Sequence, residues 1–193
     1  MDFPLPRDGY KWQQMPRWAI LCWLIFYCLF LVHVFNQHGG GTWFDAVNMV
    51  THEAGHPLFG TFGNEMLMVW GGTLMQLLVP FLLALSFAWR GQTAGAIFCT
   101  FFFFENFIGI ALYMGDARDK ALPLVSLGVA SDEVTGHDWE YIFGHMGLLQ
   151  HDTQIAAVVR VLGWIGMLAI VWLLLWMLFR KPPVEEEEAA AAA

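Results

Sequence analysis

The segment from His52 to His56 reads His-Glu-Ala-Gly-His, and its residue types and spacing suit metal-assisted hydrolysis. Residues four apart on a helix share one face, so both imidazoles would point the same way and could hold one metal ion. Glu53 follows the first histidine, where its carboxylate could act as a general base toward a water molecule on that ion. A third protein ligand would leave an open position for that water. The pattern therefore predicts a zinc site.

Polar residues continue along the same helical face toward the N-terminus. Asp45, Asn48, His52 and His56 are separated by three, four and four positions within an otherwise apolar segment. Asp45 or Asn48 could orient a ligating imidazole by hydrogen bonding to its second nitrogen. The alternative is a stripe that simply faces water on an interfacial helix.

The composition of the whole chain indicates a membrane protein. Of its 193 residues, 58% are hydrophobic and 13% are charged, and the mean hydropathy is +0.52. Soluble domains are about 45–50% apolar and about 25% charged. The net charge of −8 comes partly from the run Glu185 to Glu188. No basic patch alternates with aromatic residues, so nucleic acid is not an expected partner.

Four apolar runs are long enough to cross a bilayer as helices, which takes about 20 residues each. They are Trp18 to Phe35, Met66 to Trp89, Ala94 to Gly115 and Ile155 to Phe179. The chain is therefore predicted to be all-α, a polytopic membrane helical bundle. We divide it into an N-terminal cytoplasmic segment 1–17, a single integral membrane domain 18–181 and a low-complexity tail 182–193.

The segment Trp43 to Phe62, which contains the two histidines, has two interpretations. It is either a fifth span or a membrane-embedded or re-entrant helix beside four spans. Pro57 lies inside it, so we expect the helix to end or kink near His56. Lysine and arginine divide six to three across the membrane in either arrangement, with the N-terminus in the cytoplasm. We favour four spans, because segments 36–65 and 116–154 then share the outer side.

A family resemblance is carried by the stretch Asn48 to His56. It resembles the active-site helix of membrane zinc metalloproteases of the site-2 protease type, and Gly55 stands where that family has a glycine. The stretch Gly71 to Gln76 is similar to the family's later pattern of small residues and an amide. The resemblance implies that His52 and His56 bind zinc. Pro57 and the absence of the family's Asn-Pro and Asp-Gly pattern depart from it.

The third zinc ligand in that family is an aspartate that opens a helix. Asp138 is the first candidate here, because it would cap the helical run 139–149. His137, its neighbour, and Asp116, at the end of the third span, are the alternatives.

Gln76 and Glu105 are polar residues that lie within two of the predicted spans. Glu105 is a carboxylate in the middle of a span, where it is costly unless it is protonated or paired. It is expected to face the bundle interior, to contact Gln76 or a helix kink, or to serve near the substrate or in proton transfer. Gln76 and Glu105 therefore join Asp45 and Asn48 as residues expected to surround the metal ligands.

The resemblance implies a membrane-embedded zinc metallopeptidase that cleaves peptide segments in or near the bilayer, with Glu53 as its catalytic residue. Its expected location is a bacterial-type inner or plasma membrane. Its expected partners are membrane lipids, a membrane protein or peptide substrate, and other membrane subunits. Two alternatives stay open. One is a non-catalytic, protease-like auxiliary subunit of a larger membrane complex, and the other is a metal or proton transporter that uses Glu105 and the histidines.

Overall fold

The computed structural model describes residues 11–37, 41–122 and 136–180, and this part of the chain is helical without strands. The tail 182–193 and most of the segment 1–17 lie outside these residues. The helices are α1 (Arg17–Asn36), α2 (Asp45–Gly60), α3 (Glu65–Trp89), α4 (Thr93–Gly115), α5 (Asp138–Met146) and α6 (Asp152–Phe179), with a 3₁₀ turn at Leu149–His151 before α6.

Four of these helices, α1, α3, α4 and α6, are long and apolar enough to cross a membrane. They correspond to the four runs predicted from the sequence, with ends that differ by at most three residues. The prediction of an all-α bundle with four spans is therefore confirmed.

Successive spans alternate in direction, which brings their ends together in two groups. At one end, the Gln13 N–H donates to the Gly91 carbonyl and the Thr93 hydroxyl donates to the Gln13 carbonyl. Arg180 donates to the side-chain oxygen of Gln14 at 3.3 Å. The other end, which we call the site end, is where α1 and α4 finish and α3 and α6 begin.

Aromatic packing holds α1 against α4 inside the bundle. Tyr27 stacks on Phe101 with ring centroids 4.1 Å apart, and Phe30 meets the same ring edge-on. All three side chains are fully buried. Burial of rings of this size is the main stabilising contribution that such a contact makes.

The histidine-bearing helix α2 is too short to be a fifth span. Its 16 residues extend about 24 Å, whereas a bilayer core is about 30 Å thick. Just before α2, Trp43 stacks on His33 and Phe44 contacts Phe102 at the middle of α4. The chain therefore returns from the end of α1 into the bundle, and α2 runs back toward the site end as a re-entrant helix.

Helix α2 does not end at His56. It passes through Pro57 and continues to Gly60. Proline lacks the N–H that would bind the carbonyl four residues earlier, which here belongs to Glu53. The helix tolerates this loss because Pro57 is exposed and its ring can point away from the packed face.

Two glycines allow α2 to pack directly on α3. A Cβ placed on Gly55 would lie 2.1 Å from the carbonyl oxygen of Gly71, so only a hydrogen side chain fits there. This backbone contact sets the depth at which the histidines of α2 meet α3.

Candidate metal centre

Three side chains from two distant parts of the chain converge at the site end. The Oδ2 atom of Asp138 lies 2.8 Å from His52 Nε2 and 3.3 Å from His56 Nε2. These ligand atoms all fall within 4.8 Å of one another. The side chains are only 12%, 22% and 11% exposed for His52, His56 and Asp138, so the cluster is mostly shielded from solvent.

The second nitrogen of each imidazole faces an oxygen acceptor. His52 Nδ1 lies 3.2 Å from Gln76 Oε1, and His56 Nδ1 lies 3.0 Å from the carbonyl oxygen of Met68. Because both partners only accept, each Nδ1 carries a proton and donates it. In a neutral ring, Nε2 then presents a lone pair, which is the arrangement that metal-ligating histidines show.

The orientation and spacing of these ligand atoms can be compared with those of a zinc site. Two Nε2 lone pairs aimed at one carboxylate oxygen repel unless a proton or a cation lies between them. Zinc bonds of about 2.0–2.2 Å in a tetrahedron hold ligand atoms about 3.4 Å apart. The separation between His56 and Asp138 matches that value, and the one between His52 and Asp138 is shorter. Two imidazoles and one carboxylate form a donor set that suits zinc.

The charges of the three side chains also favour a cation between them. Burial lowers the pKa of His56, but its hydrogen bond to Asp138 and the charge of that residue outweigh burial and raise it. Burial raises the pKa of Asp138, but hydrogen bonds to both histidines outweigh burial and hold it below its usual range. Asp138 is thus an anion, and a proton or a metal ion between the ligands would balance its charge.

Asp138 reaches the histidines as the first residue of α5. The sequence predicted that Asp138 itself caps this helix, and that detail is wrong, because the capping residue is His137, whose Nδ1 accepts from the Glu140 N–H at 3.4 Å. The Asp138 carboxylate is therefore free to turn toward α2. Helix α5 ends before Gly147, which adopts a left-handed conformation with φ of 68°.

Tyr113 is a contributor that the sequence analysis missed. Its hydroxyl accepts a hydrogen bond from the Asp138 backbone N–H at 3.2 Å, and its ring centroid is 6.0 Å from that of His52. It also packs on the His137 ring at 4.1 Å. A tyrosine near the end of an apolar span is usual at a membrane interface, so the sequence carries no signal that would single it out.

The two alternative ligands lie outside the cluster. Asp116 accepts hydrogen bonds from the backbone of Ala121 and Leu122 at 2.8 and 3.1 Å, which folds the end of α4 into a turn. His137 is buried against Tyr113, with its Nε2 3.6 Å from Asp116. Burial lowers the pKa of His137, so the ring beside Asp116 favours its neutral form.

Glu53 lies beside the cluster without joining it. It is half-buried on α2, and its negative charge adds to the rise in the pKa of His56. A carboxylate at this position is therefore close to the ligands.

The remaining polar residues of the α2 face form a second group deeper in the bundle. The fully buried Glu105 accepts hydrogen bonds from the Thr42 hydroxyl and, at 3.1 Å, from Asn48 Nδ2. Thr42 also lies 2.9 Å from Asp45. Among Asp45, Asn48, Gln76 and Glu105, therefore, only Gln76 contacts a histidine of the cluster. Glu105 anchors the start of the re-entrant helix.

No model of a known protein family, no curated protein and no solved structure matches this chain.

Proposed function

We propose that this protein is a membrane-embedded zinc metallopeptidase that hydrolyses peptide bonds in or near the bilayer. The observation that carries the proposal is the convergence of two imidazole Nε2 atoms on one carboxylate oxygen, with each Nδ1 fixed by an acceptor. Structural ion pairs do not need two histidines oriented in this way. The HEAGH sequence and its resemblance to site-2 protease-type enzymes support the same conclusion.

In this proposal His52, His56 and Asp138 hold the zinc ion. When bound, zinc would polarise the scissile carbonyl and make water a nucleophile at neutral pH. Glu53 accepts a proton from the attacking water at its carboxylate and later delivers that proton to the nitrogen of the leaving amine. The water oxygen forms a bond to the carbonyl carbon as the carbon–nitrogen bond breaks.

The position of the site defines the substrate class. The cluster lies at the site end of a bundle whose spans are apolar, so a peptide segment within or beside the membrane can reach it. We place the N-terminus in the cytoplasm of a bacterial-type inner or plasma membrane and the site end on the opposite side, following the distribution of lysine and arginine.

Metal content and hydrolysis of the purified protein test this proposal. We expect one zinc per chain, lost in His52→Ala and retained in His145→Ala, whose histidine is exposed on α5. Glu53→Gln should keep the zinc and lose peptide hydrolysis. The matched control is Glu140→Gln, which removes a half-buried carboxylate of α5 that pairs with Lys120 at 2.5 Å in the wild type.

Several results would contradict the proposal. Full hydrolysis by Glu53→Gln would remove its role as general base. Zinc binding that survives His52→Ala would place the metal elsewhere. A metal-free chain that co-purifies with other membrane subunits and hydrolyses nothing would favour the auxiliary-subunit alternative. Uptake of metal ions or protons by proteoliposomes, abolished in Glu105→Gln, would favour a transporter.

A further inference from the structure

A cavity of about 460 Å³ lies away from the metal cluster, between the end of α4 and the first turns of α6. Its walls are mostly apolar or small and include Leu112, Gly115, Ala157 and Val161. Val161 is 56% exposed on the outer surface of the bundle, so the cavity opens where lipid surrounds the protein. An opening of this kind suits a ligand that is itself largely apolar.

Arg160 forms part of the cavity wall and places a positive charge there. It lies eight residues after Asp152, the first residue of α6, which puts its backbone about 12 Å along the span. Its Nε atom is buried and has no hydrogen-bond partner among the residues that the structure describes. An arginine keeps its charge in all protein environments, so this guanidinium needs an anion.

The neighbouring charged groups do not neutralise Arg160. Arg118 pairs with Asp152 at 2.7 Å, so that carboxylate is already engaged. Asp116 also lines the cavity, but no ion pair within 4.0 Å joins it to Arg160 in the described chain, and its carboxylate is held by backbone N–H groups of its own turn. Within the described chain, the cavity therefore combines an apolar wall with an arginine that lacks a counter-ion.

We propose that this cavity binds an acidic phospholipid, with its phosphate on Arg160 and its acyl chains along Leu112 and Val161. A guanidinium binds phosphate through two parallel hydrogen bonds, and basic pockets between spans are suited to phospholipid head groups. Arginine side chains inside a span extend toward the interface, where the phosphates lie. The inference is independent of the proposed peptidase function, because Arg160 is not part of the metal cluster.

Lipid binding to the purified protein tests this inference, measured by native mass spectrometry with phosphatidylglycerol and with phosphatidylcholine. We expect wild type to retain one phosphatidylglycerol in preference to phosphatidylcholine. Arg160→Gln should weaken phosphatidylglycerol binding roughly tenfold or more, since a hydrogen bond to a charged group is lost. Arg160→Lys keeps the charge and should recover part of the binding. Arg180→Gln, at the opposite end of the bundle, is the matched control and should bind like wild type.

Four outcomes would contradict the proposed lipid site. Equal binding of the two lipids by wild type would overturn the inference, even if Arg160→Gln failed to fold. Unchanged phosphatidylglycerol binding in Arg160→Gln would also overturn it. Displacement of the lipid by inorganic phosphate would show a free-anion site instead. Release of a co-purifying membrane protein, rather than of lipid, in Arg160→Gln would assign Arg160 to a protein interface.

Discussion

Replacing Gly72 with alanine should strongly weaken zinc binding without removing any proposed ligand. Gly72 is buried on α3, next to the Nε2 atoms of the two imidazoles. A Cβ at this position would lie 2.5 Å from His52 Nε2 and 2.7 Å from His56 Nε2. Ordinary contact begins near 3.4 Å, so the two nitrogens would have to retreat by 0.9 Å (3.4 − 2.5) and 0.7 Å (3.4 − 2.7).

Shifts of this size exceed what a zinc site tolerates. Zinc–ligand distances hold to within about 0.2 Å, so at least one imidazole should leave the metal. Zinc bound by four ligands gains about 10–16 kcal/mol, or about 2.5–4 kcal/mol for each ligand. The loss of one imidazole should therefore weaken zinc binding by about 10²- to 10³-fold.

Competition of the purified protein with a zinc chelator in detergent gives the dissociation constant. Gly109→Ala is the matched control, because α4 leaves open space within 4 Å of a Cβ at that glycine. Circular dichroism would establish that both variants remain helical. Wild-type zinc affinity in Gly72→Ala would refute the placement of the histidines against α3. An equal loss in Gly109→Ala would show that any glycine substitution disrupts the bundle.

Three further substitutions probe the surroundings of the site. Gln76→Leu removes the acceptor of His52 Nδ1 and should weaken zinc binding about 10- to 100-fold by chelator competition, and an unchanged affinity would contradict this role. Tyr113→Phe removes the hydroxyl that accepts from the Asp138 N–H, so it should change the visible absorption spectrum of the cobalt-substituted protein. Tyr27→Phe, at a buried ring that packs on Phe101, is the control and should leave that spectrum unchanged. Glu105→Leu leaves the buried Asn48 donor without its acceptor at about 1–3 kcal/mol, whereas Thr42 can still donate to Asp45. Its thermal unfolding temperature should therefore fall below that of Glu105→Gln. Equal unfolding temperatures would show that Glu105 does not anchor α2.

Local patterns in the sequence determined much of the fold. The four spans follow from runs of apolar residues, because a helix in lipid satisfies its own backbone and needs only apolar side chains. The shared direction of His52 and His56 follows from the 3.6-residue period of the helix. Both features depend on neighbours within a few turns, which is why composition and spacing were enough to predict them.

Other features depend on contacts between distant parts of the chain. The sequence offered Asp138, His137 and Asp116 as candidate partners of the histidines, and only the packing of α5 against α3 and α4 brings Asp138 to them. Gln76 was expected near the site together with Asp45, Asn48 and Glu105, but the depth of α2 in the bundle separates the last three from the histidines.

The sequence by itself determined that this protein is an apolar helical bundle with two imidazoles and a carboxylate on one helix. Tertiary structure alone decided which acid faces those imidazoles, that Tyr113 and the Met68 carbonyl hold the cluster in place, and that Gly72 leaves room for it. The physical reason is that periodicity fixes directions along one helix, whereas distances between helices are fixed by the residues that let them approach, here Gly55 and Gly71.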